Sequence, residues 1–471
     1  MTSPFASRQP NRLVVASYLA ALVTGQTPLT VTVGTKFQKI DGFGFSQAFG
    51  RAREFQQAPS SIQKQALDYL FNISTGAGFS IIRNRIGSGG SGDSILPTDP
   101  GSPSSDPAYE WDNDDRGQVW FTEQAVNYGV KTIYADAWSA PGFMKTSGDE
   151  ATAGYLCGTP GHTCSSGDWR QAYADFLVKY VQLYADAGYE ITHLGFLNEP
   201  DYEVSYSQMQ ISDDATEAID FIPILNETIQ AAGLNTKVTC CDAVGWGTTI
   251  NKYVPALVEG GSTKYLDVIT SHSYSADATA PITGTSLPKW NTEAGPNGEF
   301  TATWYASGAA NEGFTWAGKL AVAMVEAELS AYLFWEGFEV QETQSAMHLV
   351  DTNSDGEPTT VVTSGIFWAF AMWSRHIRPG AYRIAASGSV PDVITGAFVN
   401  VDGSVVVIFT NRGSSAQSVR LSFGSDFTPG AADAWVTSNS ATFAPTDASI
   451  SGGEVTVDIP SKGVVTVKLT E

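Results

Sequence analysis

Basic residues are scarce in this chain. Lys and Arg number 26 against 49 Asp and Glu, for a formal net charge of −23. Such a surface lacks the general attraction that draws proteins to nucleic acid and anionic membranes, so neither is an expected partner. Charge of either sign is thin, at 16% of residues, and a neutral polysaccharide stays compatible with it. Past the N-terminus no apolar run is long enough to span a bilayer. No strand-like run is followed by a Gly-rich nucleotide loop, and no low-complexity linker divides the chain. Cysteine is limited to four residues. Cys157 and Cys164 bracket the stretch CGTPGHTC, where they close a small disulfide or, with His162 between them, hold zinc. The lack of a second Cys pair at zinc-finger spacing favours the disulfide, and no metal site is expected. Cys240 and Cys241 are adjacent at a strand end, as two buried thiols or a vicinal bridge.

What is present is a long, aromatic-rich globular chain. Its 471 residues exceed one compact core and suffice for a large barrel with a smaller domain. Of the 12 Trp, most are expected in packed cores and a minority as platforms for sugar rings. At the N-terminus, Arg8 and Arg12 precede the apolar run Leu13–Val23, and small residues follow at Thr24 and Gly25. That order fits a secretory signal over residues 1–25, so an extracellular location is expected. The sequons at Asn72 and Asn226 are N-glycosylation sites if the host is a secreting eukaryote. No feature calls for an oligomer, and a monomer is expected.

Eight apolar or β-branched runs follow: Ile40–Phe45, Phe79–Ile86, Lys131–Ala135, Thr192–Leu197, Lys237–Cys240, Leu266–Thr270, Leu287–Asn291 and Ala331–Trp335. Helical spacing marks Ser61–Leu70, Trp169–Asp186, Ala215–Ala231, Gly318–Leu329 and Thr363–Trp373 between or after them. Eight strands alternating with helices predict an α/β protein with a (β/α)8 TIM barrel over residues 38–379, ahead of an open parallel sheet. From about Gly380 helical periodicity stops, and SVVVIFTN, SVRLSF, EVTVDIP and GVVTVKL read as short alternating strands. Residues 380–471 are therefore expected to form an all-β sandwich side domain. Residues 26–37 have no barrel role and are expected to add a strand to that domain.

Two of the strand-like runs end in a carboxylate. LGFLNEPDY places Glu199 after the fourth barrel strand, and KWNTEAGP places Glu293 at the end of the seventh. About 90 residues separate them, room for three strand–helix units of about 30 residues each. Barrel chemistry sits at the C-terminal ends of strands. Two glutamates there fit retaining glycoside hydrolysis, in which one carboxyl donates a proton to the leaving oxygen and the other attacks the sugar carbon. Glu199 reads as the acid/base and Glu293 as the nucleophile. Asn198 is positioned to meet a sugar 2-hydroxyl. Arg83 and Arg85 share one face of the second strand, where one of them braces Glu293. Trp138, Tyr202, His272, Tyr274 and Trp335 stand at predicted strand ends as cleft walls. Trp290 reads as core, and Glu336 and Glu339 as rim residues.

The ordered set IDGFGFSQAFGRA, WSAPGFMKT, LNEP, SHSY, NTEAGP and FWEG resembles glycoside hydrolase family 30, and within it the fungal branch of secreted xylan-degrading enzymes. The resemblance spans essentially the whole chain after the signal. It implies a retaining β-glycosidase with a barrel and a β-sandwich, with Glu199 and Glu293 in the acid/base and nucleophile positions and Asn198 beside the acid. It implies xylan-type substrate and no metal or organic cofactor. A β-1,6-glucan is the alternative polymer, and an inactive carbohydrate-binding relative the alternative class. Some members of the branch cut glucuronoxylan internally, guided by a basic residue near the loop after the first strand; others release xylobiose. Here that loop reads FGFSQAFGR, with Phe45 apolar and Arg51 and Arg53 the nearest basic residues, which argues against strict dependence on glucuronate. The long segment Ser88–Asp115 is expected to wall off part of the cleft.

Overall fold

The computed structural model describes residues 25–471, apart from 91, 297, 341–346 and 354–356. Residues 1–24, most of the segment read as an export signal, lie outside the described residues. After β1 (Thr27–Lys39), the next eight strands pair in parallel and close on themselves. They are β2 (Gly42–Ser46), β3 (Ile81–Ile86), β4 (Thr132–Ala137), β5 (His193–Gly195), β6 (Lys237–Ala243), β7 (Val268–His272), β8 (Lys289–Glu293) and β9 (Ala331–Phe338). Each pairs with the next, and β9 pairs back to β2. The architecture is a closed barrel, not an open sheet.

Strand periodicity explains what fills it. On β3, Ile82 and Ile86 face the surrounding helices, whereas Ile81 faces the axis beside Tyr134, Trp290 and Leu333. Those residues, with Val268 and Ala331, make a dry floor, and Trp290 is wholly buried in it. Arg83 and Arg85 follow Ile81 on the same face and rise above that floor, where the interior turns polar. Four of the expected helices correspond to Ser60–Phe71, Arg170–Asp186, Thr216–Ala231 and Gly365–Ser374. The fifth differs: the α-helix runs Gly313–Ala321 and ends in a π turn, Val322–Glu326. The apolar run there prolongs the helical pattern past the point where the bonding widens, and Ala327 N–H closes on Val322 O at 3.0 Å.

Among the described residues, β1 and nine strands between Tyr382 and Thr470 form a second, separate ten-stranded sheet. β1 lies antiparallel to Tyr382–Ser387 and parallel to Gln417–Phe423. Its Leu29 and Val31 are buried with Val405, Val407 and Val467. The N-terminal strand therefore packs into the C-terminal domain.

Cys157 and Cys164 form a disulfide, with Cα atoms 5.5 Å apart, and Cys240 and Cys241 form a vicinal one. His162 is not a zinc ligand beside the first. Its Nε2 lies 2.9 Å from Glu217 Oε1 and its ring stacks on Tyr155. The segment after β3 is anchored: Asp93 pairs with Arg85, Ser88 Oγ donates to Glu150 Oε1 at 2.8 Å, and Ile95 and Leu96 enter the main core.

Candidate active site

Glu199 is delivered by a sharp exit from β5. Gly195 starts it: a Cβ there would meet Asp136 Oδ1 at 2.1 Å and Tyr134 Oη at 2.5 Å, so only glycine fits. Four residues later Glu199 takes φ +46°, a strained left-handed conformation for a side-chain-bearing residue, directly before Pro200. Its N–H donates to Asp242 O at 2.8 Å, which holds that turn against the end of β6. Glu293 needs no such device. It is the last residue of β8, faces the axis, and is 5% exposed.

Three groups converge on the pair. The Arg83 guanidinium, wholly buried, donates through Nη1 to Glu293 Oε2, and through Nη2 to Asp136 Oδ2 at 2.7 Å and Asn198 Oδ1 at 2.6 Å. The face of that guanidinium lies 4.3 Å from the Trp138 ring centroid. The Tyr274 hydroxyl donates to Glu293 Oε1 at 2.9 Å. His272 Nδ1 lies 3.0 Å from Glu199 Oε1, and its Nε2 lies 3.4 Å from Asp242 Oδ1 and 3.8 Å from Glu293 Oε2. The carboxylates of Glu199 and Glu293 approach within 4.8 Å, oxygen to oxygen.

Burial and charge set the protonation of the supporting groups. Burial alone would strip the proton from His272, but Glu293, Asp242 and Glu199 outweigh it and push its titration up to about 10. Burial and the neighbouring Asp242 hold Asp136 well above the usual carboxylate range despite Arg83. Asp242 moves the other way: burial opposes its charge, but His272 and Arg83 hold it below that range. Beneath the two glutamates, Arg83 and His272 are thus set against two buried aspartates, Asp136 and Asp242, whose titrations burial and their neighbours drive in opposite directions.

Above them opens a cleft of about 540 Å³, walled by Phe49, Trp138, Tyr202, Tyr206, Tyr274 and Trp335. Trp138 and Trp335 pack against each other with Phe49. Tyr202 is exposed at the rim. Some expectations are corrected here, and the choice between the two arginines is resolved. His272 is not a cleft wall, because its ring is wholly buried below the carboxylates. Arg83, not Arg85, braces Glu293; Arg85 turns to Asp93 and to Ser207 Oγ at 2.7 Å, since the next inward position lies a full two residues along the strand. Glu336 and Glu339 are not rim residues but fully buried in and beside β9. Phe45 belongs to β2 and packs on Phe71, Phe79 and Phe121; the aromatic of the following loop that reaches the cleft is Phe49, with φ +50°.

Comparison with known proteins matches this arrangement to a family. Residues 26–279 fit the O-glycosyl hydrolase family 30 description, and residues 380–467 fit the family 30 β-sandwich domain. The chain belongs to glycoside hydrolase family 30. A solved structure, the catalytic domain of xylanase C from Talaromyces cellulolyticus, is 46% identical to this family 30 hydrolase, with a TM-score of 0.89 over 94% of this chain and 100% of that one. An endo-1,6-β-D-glucanase of Trichoderma harzianum is 31% identical over 220 residues, 44% of this chain and 43% of that relative, so the match spans less than half its length. An endo-1,6-β-D-glucanase of Aspergillus fumigatus is 27% identical over 406 residues, 79% of this chain and 78% of that one.

In this family 30 hydrolase, Glu199, His272 and Glu293 bring three ligand atoms within 4.8 Å. The set suits a proton better than a metal ion: Arg83 already neutralises Glu293, and the flanking acids keep His272 protonated. Among the described residues, no helix is long and apolar enough to cross a membrane. Arg51 and Arg53 lie on the helix Arg51–Gln57, where they pair with Glu54 and Asp114. Among the described residues, none of Ser88–Asp115 lines the cleft; several, Trp111 among them, line a neighbouring cavity of about 280 Å³. Asp136, Asp242, Phe49 and Tyr206 escaped the sequence reading. The signal for the two aspartates was a lone acid within or ending a strand-like run, YADAW and CCDAV.

Proposed function

We propose that this enzyme hydrolyses β-1,4-xylosidic bonds of xylan and glucuronoxylan with retention, by double displacement. The observation that carries the mechanism is the close approach of Glu199 and Glu293, within 4.8 Å. A retaining pair stands about 5–5.5 Å apart, whereas an inverting pair leaves a wider gap for water. The double displacement asks one carboxyl to bring a proton and the other to attack. Glu293, ion-paired to Arg83, is the nucleophile. Its oxygen attacks the anomeric carbon while Glu199 gives its proton to the departing oxygen. Water then takes the place of the leaving group, loses a proton to Glu199, and releases the sugar from Glu293. Tyr274 orients the nucleophile. The Asn198 amide nitrogen makes no protein hydrogen bond among the described residues and is placed to meet a sugar hydroxyl, its Oδ1 being held by Arg83. Tyr202 and Trp335 offer platforms to sugar rings, and the buried Trp138 lines the same cleft.

The xylan reading is supported by the 46% identity to a xylanase over 94% of the chain. A second reading, β-1,6-glucan, is favoured by the two fungal glucanases at 31% and 27%. A binding protein without activity is disfavoured, since both glutamates and their partners are in place. The N-terminal export pattern and two disulfides support action outside the cell on polysaccharide; the enzyme is taken to act as a monomer. The test is a product profile on glucuronoxylan, unbranched xylan and β-1,6-glucan, read by mass. Xylose oligomers are expected: xylobiose from the first minutes marks exo action, and a ladder marks endo action. Glucose oligomers alone would overturn the xylan reading.

Glu199→Ala tests the acid/base role. Turnover of polymer is expected to fall by roughly 10²–10⁴. Azide should restore turnover of a dinitrophenyl glycoside and yield the β-glycosyl azide. A variant indifferent to azide removes Glu199 from that role.

A further inference from the structure

We infer that His272 is the fixed counter-ion of a negative charge that moves between Glu293 and Glu199 during turnover, and that Asp242 is the positioning residue that keeps it charged and in place. The inference rests on the two-step mechanism proposed above. In the free enzyme the charge of the pair is on Glu293. Once that oxygen is bonded to the sugar carbon, Glu293 is a neutral ester, and Glu199, having released its proton to the leaving oxygen, is the anion. When water attacks, its proton returns to Glu199 and the ester oxygen takes back its electron pair. The pair thus carries one negative charge in both resting states, and only its location changes. His272 lies where it meets that charge in either place: Nδ1 is 3.0 Å from Glu199 Oε1 and Nε2 is 3.8 Å from Glu293 Oε2. It gains and loses no proton itself. A cation that need not move or reorganise stabilises both steps.

Asp242 is built to hold that cation. Its side chain is 1% exposed and lies 3.4 Å from His272 Nε2. Tyr134 Oη donates to its Oδ2 at 2.8 Å and Thr270 Oγ1 at 2.7 Å, and Thr292 Oγ1 donates to Oδ1. Its own carbonyl accepts the Glu199 N–H, so one residue faces the imidazole with its carboxylate and holds the acid/base by its backbone. With φ +46°, Asp242 makes a left-handed bend one residue before the end of β6, where both contacts are made. The charged and titratable groups facing His272 are Glu199 from the exit of β5, Asp242 from β6, Glu293 from β8 and Tyr274 from its own segment, with Arg83 and Asp136 behind them. Acids predominate around the ring, as a retained proton requires.

The experiment is a ¹⁵N-histidine NMR titration of the full enzyme, in which His272 is the signal lost in His272→Gln among five histidines. It is run on the free enzyme and on enzyme treated with activated 2-deoxy-2-fluoro-β-xylobioside, and with the β-1,6-linked glucose disaccharide analogue to cover the second substrate reading. His272 is expected to stay protonated through pH 8 in both states. An adduct in which His272 is neutral, or a neutral His272 in the free enzyme at pH 7, overturns the inference alone. Absence of any covalent adduct overturns the two-step reading, and this inference with it. In Asp242→Asn the His272 titration should fall by at least about one pH unit, and the alkaline limb of kcat/KM should move with it, a roughly tenfold loss per unit above the new midpoint. An unchanged titration and pH profile in that variant would reduce Asp242 to a structural role. Should Asp242→Asn not fold, the two wild-type titrations still decide.

Discussion

Glu293→Gln is expected to lower kcat by about ten-thousand-fold or more, with substrate binding kept within about tenfold. The size follows from the two-step route. Gln has the shape of Glu but no anionic oxygen, so no glycosyl ester forms and the first step is lost outright. The cleft walls stay intact, because Trp138, Tyr202 and Trp335 do not depend on that charge. The substitution also leaves Arg83 with one charged partner fewer among Glu293, Asp136 and Asp242. Steady-state kinetics and calorimetric binding of a xylo-oligosaccharide check both halves. A variant with more than a tenth of wild-type kcat would remove Glu293 from the nucleophile's place.

Arg83→Met carries the largest expected cost in stability. The guanidinium sits with no exposure among Glu293, Asp136 and Asp242, and supports Asn198. Removing one partner of a buried ion pair commonly costs about 3–5 kcal/mol, because the remaining charges are left unmatched in a poor solvent. The sign of its pH dependence is fixed by the same logic. Without Arg83 the clustered acids take up protons in the folded state more readily than in the unfolded chain. Their folded titration is raised, so the variant loses least at acid pH and most as pH rises through the carboxylate range. Denaturant unfolding at pH 4 and pH 7 should show that difference. Arg83→Lys should fold, keep the charge and lose the fork that grips three acceptors at once, with a drop of about a hundredfold in kcat. Equal losses of stability at both pH values would contradict the charge account.

The barrel was readable from the chain because its strands and helices differ in period, and period survives without tertiary information. β3 shows how far that goes: IIRNRI told that Arg83 and Arg85 share a face, since alternation is local. It did not tell which arginine meets Glu293, because that depends on height within the barrel and on the tilt of β8. His272 failed for the same reason. A histidine at a strand end looks alike whether it lines a cleft or lies beneath it. Glu336 and Glu339 read as rim because buried acids are rare, and only closure of β9 against β2 and the strand that follows, His348–Thr352, buries them. The π turn after Ala321 was hidden by an apolar run that satisfies either helix. Asp242 was the hardest to find. Its importance lies in what four other segments bring to it, and a single acid after CC carries none of that.

The stereochemistry of the first product formed decides the mechanism. Following the anomeric protons by NMR during the first minutes of hydrolysis, before mutarotation, distinguishes the two possible courses. Two carboxylates within 4.8 Å predict that the β-anomer accumulates first and the α-anomer appears only as the sugar equilibrates. If the α-anomer accumulates first, a single inverting displacement is at work, and the roles given to Glu199, Glu293 and His272 are wrong.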